Sequence, residues 1–104
     1  MTVSLKKSTD EQWKVIPGHE PYEACDMGFI RNGKTKKILK PTPRGPKRKQ
    51  YMTVYVGGGR NSDKKYVHKL VLSAFTGERP ENCFALHKDD NQFNNRLSNL
   101  YWGT

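Results

Sequence analysis

Cysteine is scarce in this chain and long apolar runs are missing, and both absences exclude classes of protein. Only two cysteines occur, Cys25 and Cys83, and neither belongs to a CxxC pair. A structural zinc site needs about four close ligands, so we expect no zinc and two buried or half-buried thiols. No run approaches the length of a transmembrane helix, and residues 1–12 lack the apolar core of a signal peptide. These features predict a cytoplasmic protein that does not act at a membrane.

Acidic residues are also scarce, and the chain is strongly basic. Nineteen lysines and arginines stand against ten aspartates and glutamates, which gives a formal net charge of +9. A surface that serves only solubility usually mixes both signs of charge, whereas residues 34–49 hold eight cations and no acid. This distribution predicts a nucleic-acid partner.

Hydrophobic residues make up only 34% of the 104 positions, which predicts a single small domain with a thin core. Alternating side chains and turn residues predict short strands, with a hairpin over residues 50–67. Residues 41–50 carry three prolines and four cations, and we expect a loop there because proline cannot donate in a sheet ladder. The other predicted strands are residues 13–16, 22–25, 29–31, 37–40, 84–86 and 100–102.

One amphipathic helix is predicted to follow the hairpin. Its apolar side chains recur at intervals of three and four residues and form one stripe, and Gly77 is a suitable end. The stripe consists of Val67, Leu70, Val71, Ala74 and Phe75. The pattern predicts an α+β fold in which short antiparallel β-hairpins pack on one main helix.

Two stretches of the chain resemble parts of known nucleases. Residues 13–75 resemble NUMOD4, a small module that precedes HNH nuclease domains in many phage and intron-encoded homing endonucleases. The matching features include Trp13-Lys14-x-Ile16-x-Gly18, Gly28-Phe29-Ile30-Arg31 and Val67-His68-Lys69-Leu70-Val71. Residues 86–104 are similar to the HNH domain, with one histidine, a loop rich in Asp and Asn, an Asn-Leu pair and an aromatic residue.

The resemblance implies a division of the chain and a chemical role for its end. Residues 1–11 are expected to be a flexible arm, residues 12–77 a NUMOD4-like DNA-binding module, and residues 78–104 a partial HNH motif. In the family this motif is a ββα-metal unit, so the chain is expected to end in a truncated form of it. His87 matches the general base that takes a proton from an attacking water.

Asparagines around His87 also match positions of the HNH motif. Asn99 matches the residue that orients the general base. The asparagines that match loop-shaping positions are Asn91, Asn94 and Asn95. If the protein is active, the resemblance implies magnesium or manganese and no organic cofactor.

Two departures from the family's pattern put the metal site in doubt. Leu86 stands where a metal-binding carboxylate or amide is usual, and a leucine has no ligand atom. We expect the closing helix with its ligand to be missing, because the sequence ends at Thr104. Asp89 and Asp90 are candidate substitute ligands, although Asp89 also matches a position in the loop turn.

Candidate contacts to DNA lie on the basic segment and next to it. Tyr51 and Tyr55 share one face of a predicted strand, which suits contacts to nucleic acid or, equally, a half-buried sheet face. The full set of candidate DNA-binding residues is Lys37, Lys40, Arg44, Lys47, Arg48, Lys49, Tyr51, Tyr55 and Lys69.

The sequence therefore predicts a protein of the HNH homing-endonuclease family that binds double-stranded DNA. Metal-dependent nicking or cleavage with His87 as general base is implied, and we expect it to be degenerate in the isolated chain. The alternative is a non-catalytic phage-type protein that binds and inhibits a host enzyme acting on nucleic acid. Either protein would work in the cytoplasm of the host cell if a phage encodes it.

Overall fold

This computed structural model describes residues 12–57 and 63–104. These residues fold into short strands around one helix. The predicted arm, residues 1–11, lies outside the described residues. The strands are β1 (Trp13–Val15), β2 (Tyr22–Cys25), β3 (Ile30–Asn32), β4 (Thr42–Arg44), β5 (Tyr51–Val56), β6 (Asp63–Tyr66), β7 (Phe84–His87) and β8 (Leu100–Gly103). The helix α1 spans Val67–Thr76, and a 3₁₀ turn spans Leu97–Asn99.

The strands form three antiparallel sheets, in the orders β1-β2-β3, β4-β5-β6 and β7-β8. In the third sheet His87 pairs with Leu100, so the Asp/Asn-rich loop connects the two strands of one hairpin. The predicted α+β class is confirmed, and so is the hairpin, since β5 pairs with β6.

Two predictions about the basic segment were wrong. Residues 37–40 form no strand, because only Ile38 makes an isolated bridge, to Arg31. Residues 42–44, predicted to be part of a loop, form β4 and pair with β5. Pro43 permits this because β4 is an outer strand, where a missing N–H donor breaks no ladder bond.

The core forms where α1 packs against all three sheets. Three residues of its predicted stripe, Val67, Leu70 and Val71, are buried, and burial of such a side chain stabilises a fold by about 1.5–3 kcal/mol. Leu72 is buried as well, because sheets cover more than one side of the helix. The helix ends at Gly77 as predicted, where the Gly77 amide donates to the Ser73 carbonyl.

The turn between β2 and β3 supports the loop that follows His87. Gly28 has a φ of +99°, and a Cβ added there would lie 2.9 Å from the Asn95 carbonyl oxygen. The Leu97 amide donates to the Asp26 carbonyl at 2.8 Å. The first sheet therefore fixes the position of the Asp/Asn-rich loop.

Among the described residues, α1 and the 3₁₀ turn are both too short to cross a lipid bilayer.

Candidate functional site

His87 is the last residue of β7, and Asn95 holds its imidazole ring. Side chains alternate along a strand, so His87 shares the inward face with Ala85 while Leu86 points to the other face. The Nε2 atom of His87 lies 2.8 Å from Asn95 Oδ1, and both residues are buried. An amide oxygen only accepts hydrogen bonds, so Nε2 carries the hydrogen and Nδ1 keeps the lone pair that can take a proton.

Two further rings, those of His68 and Tyr51, lie beside His87. The ring centroids of His87 and His68 are 4.8 Å apart, and those of His68 and Tyr51 are 5.2 Å apart. We call Tyr51, His68 and His87 the aromatic stack. Burial lowers the pKa of His68 from 6.5 to about 4, and electrostatic interactions with His87 and Lys69 act in the same direction. His68 is therefore neutral near pH 7.

Sequence reasoning did not bring His68 to the site. The one signal in the sequence was its position next to the apolar stripe of α1. In the structure His68 is buried in the first turn of that helix, which is unusual for a polar residue. The structure supplies that reason in the contact with His87, which comes from a distant part of the chain.

Asp89 organises the loop through both of its carboxylate oxygens. Oδ1 accepts hydrogen bonds from the Asn91 amide at 2.8 Å and from Asn99 Nδ2 at 2.9 Å, and Oδ2 accepts one from Asn94 Nδ2 at 3.0 Å. The Asn91 amide, then Asn94 and Asn99, lower the pKa of Asp89, because each bond favours the charged carboxylate.

The residue that contacts His87 differs from the predicted one. Asn99 was expected to orient the imidazole, but its side chain donates to Asp89 and to the Asn94 carbonyl, and it accepts from the Asp89 amide at 3.2 Å. Asn95, expected only to shape the loop, makes the contact with the ring. The reason is burial, because Asn95 is enclosed beside His87 while Asn99 faces the loop.

The described residues do not fit a complete divalent-metal centre. Among them no three or more His, Cys, Asp or Glu side chains come together as a possible metal site. Both oxygens of Asp89 are engaged in the loop, and Leu86 has no ligand atom. Asp90 lines the same cleft as His87, and one carboxylate beside one imidazole is too few ligands for magnesium.

A cleft of about 360 Å³ opens over His87. It brings two of the predicted DNA contacts, Lys49 and Tyr51, to the histidine, together with Asp90 and Gln92. Arg44 and Tyr55 line a second cleft with Lys64 and Tyr66. The other predicted contacts are exposed and line neither of these two clefts: Lys37, Lys40, Lys47, Arg48 and Lys69.

Comparisons with known proteins find similarity to HNH endonucleases. Residues 65–104 match the family described as HNH endonuclease. The chain is 34% identical over 91 residues to an uncharacterized HNH endonuclease of Acanthamoeba polyphaga mimivirus, covering 88% of this chain and 26% of that relative. It is 33% identical over 94 residues to the DNA endonuclease I-HmuI of Bacillus phage SP01, covering 89% of this chain and 52% of I-HmuI.

A solved structure shares the fold. The structure titled "DNA binding and cleavage by the HNH homing endonuclease I-HmuI" matches with a TM-score of 0.74 at 33% identity, over 89% of this chain and 52% of that one. The chain thus spans between about a quarter and a half of the length of these relatives. The predicted resemblance to HNH endonucleases is confirmed, while the resemblance to NUMOD4 stays a prediction. Neither of these relatives is described as an inhibitor of a host enzyme, so the alternative function gains no support.

Proposed function

We propose that this chain, whose residues 65–104 match the family described as HNH endonuclease, binds double-stranded DNA and presents His87 to the DNA backbone as a general base. The hydrogen bond between His87 and Asn95 is the observation that carries this proposal. It fixes which ring nitrogen bears the hydrogen and leaves the other nitrogen to receive a proton from water. A histidine that served only the core would not need to border an open cleft.

The surroundings of His87 suit the hydrolysis of a phosphodiester. A water that attacks phosphorus must lose a proton, and Nδ1 of His87 would accept it. Asn95 would then stabilise the imidazolium, because its oxygen accepts from Nε2 in both protonation states. Lys49 lines the same cleft and would attract the negatively charged backbone.

Efficient cleavage by an HNH nuclease needs a bound divalent metal, and the described residues supply too few ligands for one. HNH nucleases generally use a divalent metal, which offsets charge on the phosphate and on the leaving group. The donor set around His87 is too small to hold one. We therefore propose that the residues described here bind DNA and orient His87, and that metal-dependent cleavage by the isolated chain is weak or absent. Ligands from outside the described residues would complete the site.

The charge of the chain supports a DNA-binding role. Arg44 and Lys47–Lys49 project from β4 and the turn after it, and all four cations are exposed. The only ion pair among the described residues joins Arg31 and Glu23, so these cations remain available to phosphates. Tyr55 is 58% exposed on the same sheet and offers a ring to the sugar or base edge.

The salt dependence of DNA binding tests this part of the proposal. We expect Arg44→Gln/Arg48→Gln to flatten the slope of log K against log salt by about 0.9 for each phosphate that the variant no longer neutralises. The control Lys14→Gln/Arg96→Gln removes the same charge from exposed residues outside the clefts that hold His87, Arg44 and Tyr55. Fluorescence anisotropy with a short DNA duplex measures both slopes. Equal slopes in the two variants would contradict a specific role for this segment.

A further inference from the structure

A third cleft lies on the outer edge of the second sheet, between β6 and α1. Within the described residues β6 is an outer strand, and it borders a cleft of about 350 Å³. We call this the edge cleft. The polar side chains that the inference uses are His19, Lys64, Lys65, Tyr66 and Lys69. Of these, the sequence pointed only to Lys69 as a contact to DNA.

The edge cleft is positively charged, and the described residues supply no ion-pair partner for its lysines. None of the described residues that line it is acidic, and its three lysines make no ion pair in the described part of the chain. Lys64 Nζ lies 5.1 Å from the centroid of the Tyr55 ring, and Lys69 Nζ lies 5.5 Å from that of Tyr66. These cation–π contacts orient both ammonium groups without neutralising them.

Residues of β6 link the edge cleft to the aromatic stack beside His87. Lys64 and Tyr66 also line the cleft that holds Arg44 and Tyr55, so the two clefts meet along β6. Tyr66 contacts the aromatic stack, with ring centroids 5.9 Å from Tyr51 and 5.7 Å from His68. A bound strand that followed this surface would run from the edge cleft to the cleft over His87.

We infer that the edge cleft binds phosphodiester groups of the DNA backbone and anchors the duplex at a point separate from His87. This inference rests on the proposed DNA-binding function and extends it to residues of β6 and α1. Lysines on an outer strand also discourage pairing with another sheet. That role does not require Lys69 on the helix or His19 on the loop, which face the same cleft.

Salt-dependent binding of the full chain to a short DNA duplex tests the inference. The variant Lys64→Gln/Lys69→Gln should flatten the slope of log K against log salt by about 1.8, since each neutralised phosphate contributes about 0.9. Lys14→Gln/Arg96→Gln is the control, because it removes the same charge from exposed residues that do not line the edge cleft. Lys65→Gln changes a single side chain of the cleft and gives a second measurement that does not depend on the double variant folding. Its slope should flatten by about 0.9.

The possible outcomes separate this inference from the proposed function. A wild-type slope in both edge-cleft variants, or an equal decrease in the control, overturns the edge cleft and leaves DNA binding intact. Failure of the wild-type chain to bind the duplex at low salt overturns both. A decrease in the edge-cleft variants alone, with unchanged circular dichroism, supports the inference.

Discussion

Single residues decide whether His87 can act as a base, and Asn95 matters most among them. Its amide oxygen selects one tautomer of the imidazole, and the aromatic stack limits the rotation of the ring. The motif pointed to His87, because a lone histidine before an Asp/Asn-rich loop is distinctive. It did not identify Asn95 as the partner, because several asparagines lie in the loop and only folding decides which one is buried beside the ring.

Replacing Asn95 tests the tautomer directly. In Asn95→Ala the Nε2–H loses its acceptor, so we expect the two tautomers of His87 to mix. Asn95→Asp keeps an acceptor oxygen at nearly the same place and should preserve the Nε2–H form. Nitrogen NMR shifts of the ring distinguish the tautomers without any need for catalysis. A single unchanged tautomer in Asn95→Ala would show that another group sets it.

The buried, neutral state of His68 predicts a pH dependence of stability. Its pKa is about 4 in the folded protein against an ordinary 6.5, so the unfolded chain binds the proton first. The stabilisation is therefore complete above about pH 6.5 and is lost as the pH falls toward about 4, with a total on the order of 3 kcal/mol.

Chemical denaturation between these pH values measures the effect. His68→Phe keeps a ring in the aromatic stack but cannot bind a proton, so its free energy of unfolding should fall less steeply with acid. If the free energy of unfolding falls equally with acid in the wild type and in His68→Phe, some other group causes the pH dependence.

Elements of the first sheet position the loop that follows His87, although they lie far from it in sequence. Their contact depends on Gly28, where the chain passes against the backbone of Asn95. Periodicity predicted α1 well because its stripe follows the helical repeat over ten residues. Sequence patterns failed for β4, because prolines normally mark loops and Pro43 is tolerated there only since the strand lies at a sheet edge. No local pattern could show that β2–β3 meets the loop after His87.

Alanine substitution of two glycines separates this contact from simple backbone strain. Gly28 and Gly18 both have positive φ, +99° and +82°, but a Cβ at Gly18 would meet nothing within 4 Å. We expect Gly28→Ala to lose about 1–3 kcal/mol more stability than Gly18→Ala, as overpacking does. Thermal or chemical unfolding measures the difference. Equal losses would mean that the turn moves aside without cost.

At the scale of the whole molecule, a strongly basic composition suited to DNA accompanies a set of metal donors that is small among the described residues. Composition predicted the nucleic-acid partner, because a net charge of +9 with few acids leaves many cations unpaired. It could not show that Lys64 and Lys69 line one cleft, since that depends on how β6 leads into α1. The sequence shows that Leu86 has no ligand atom, whereas only the structure shows that both carboxylate oxygens of Asp89 are engaged in the loop.

The measurement that tests this account most directly is a supercoiled-plasmid assay with magnesium or manganese, beside EDTA and a His87→Ala control. We expect the plasmid to be retarded at low salt and released at high salt, with no metal-dependent nicking above the level of His87→Ala. Metal-dependent nicking that disappears in His87→Ala would contradict the conclusion that the donor set is incomplete. Absence of retardation at low salt would contradict the DNA-binding function itself.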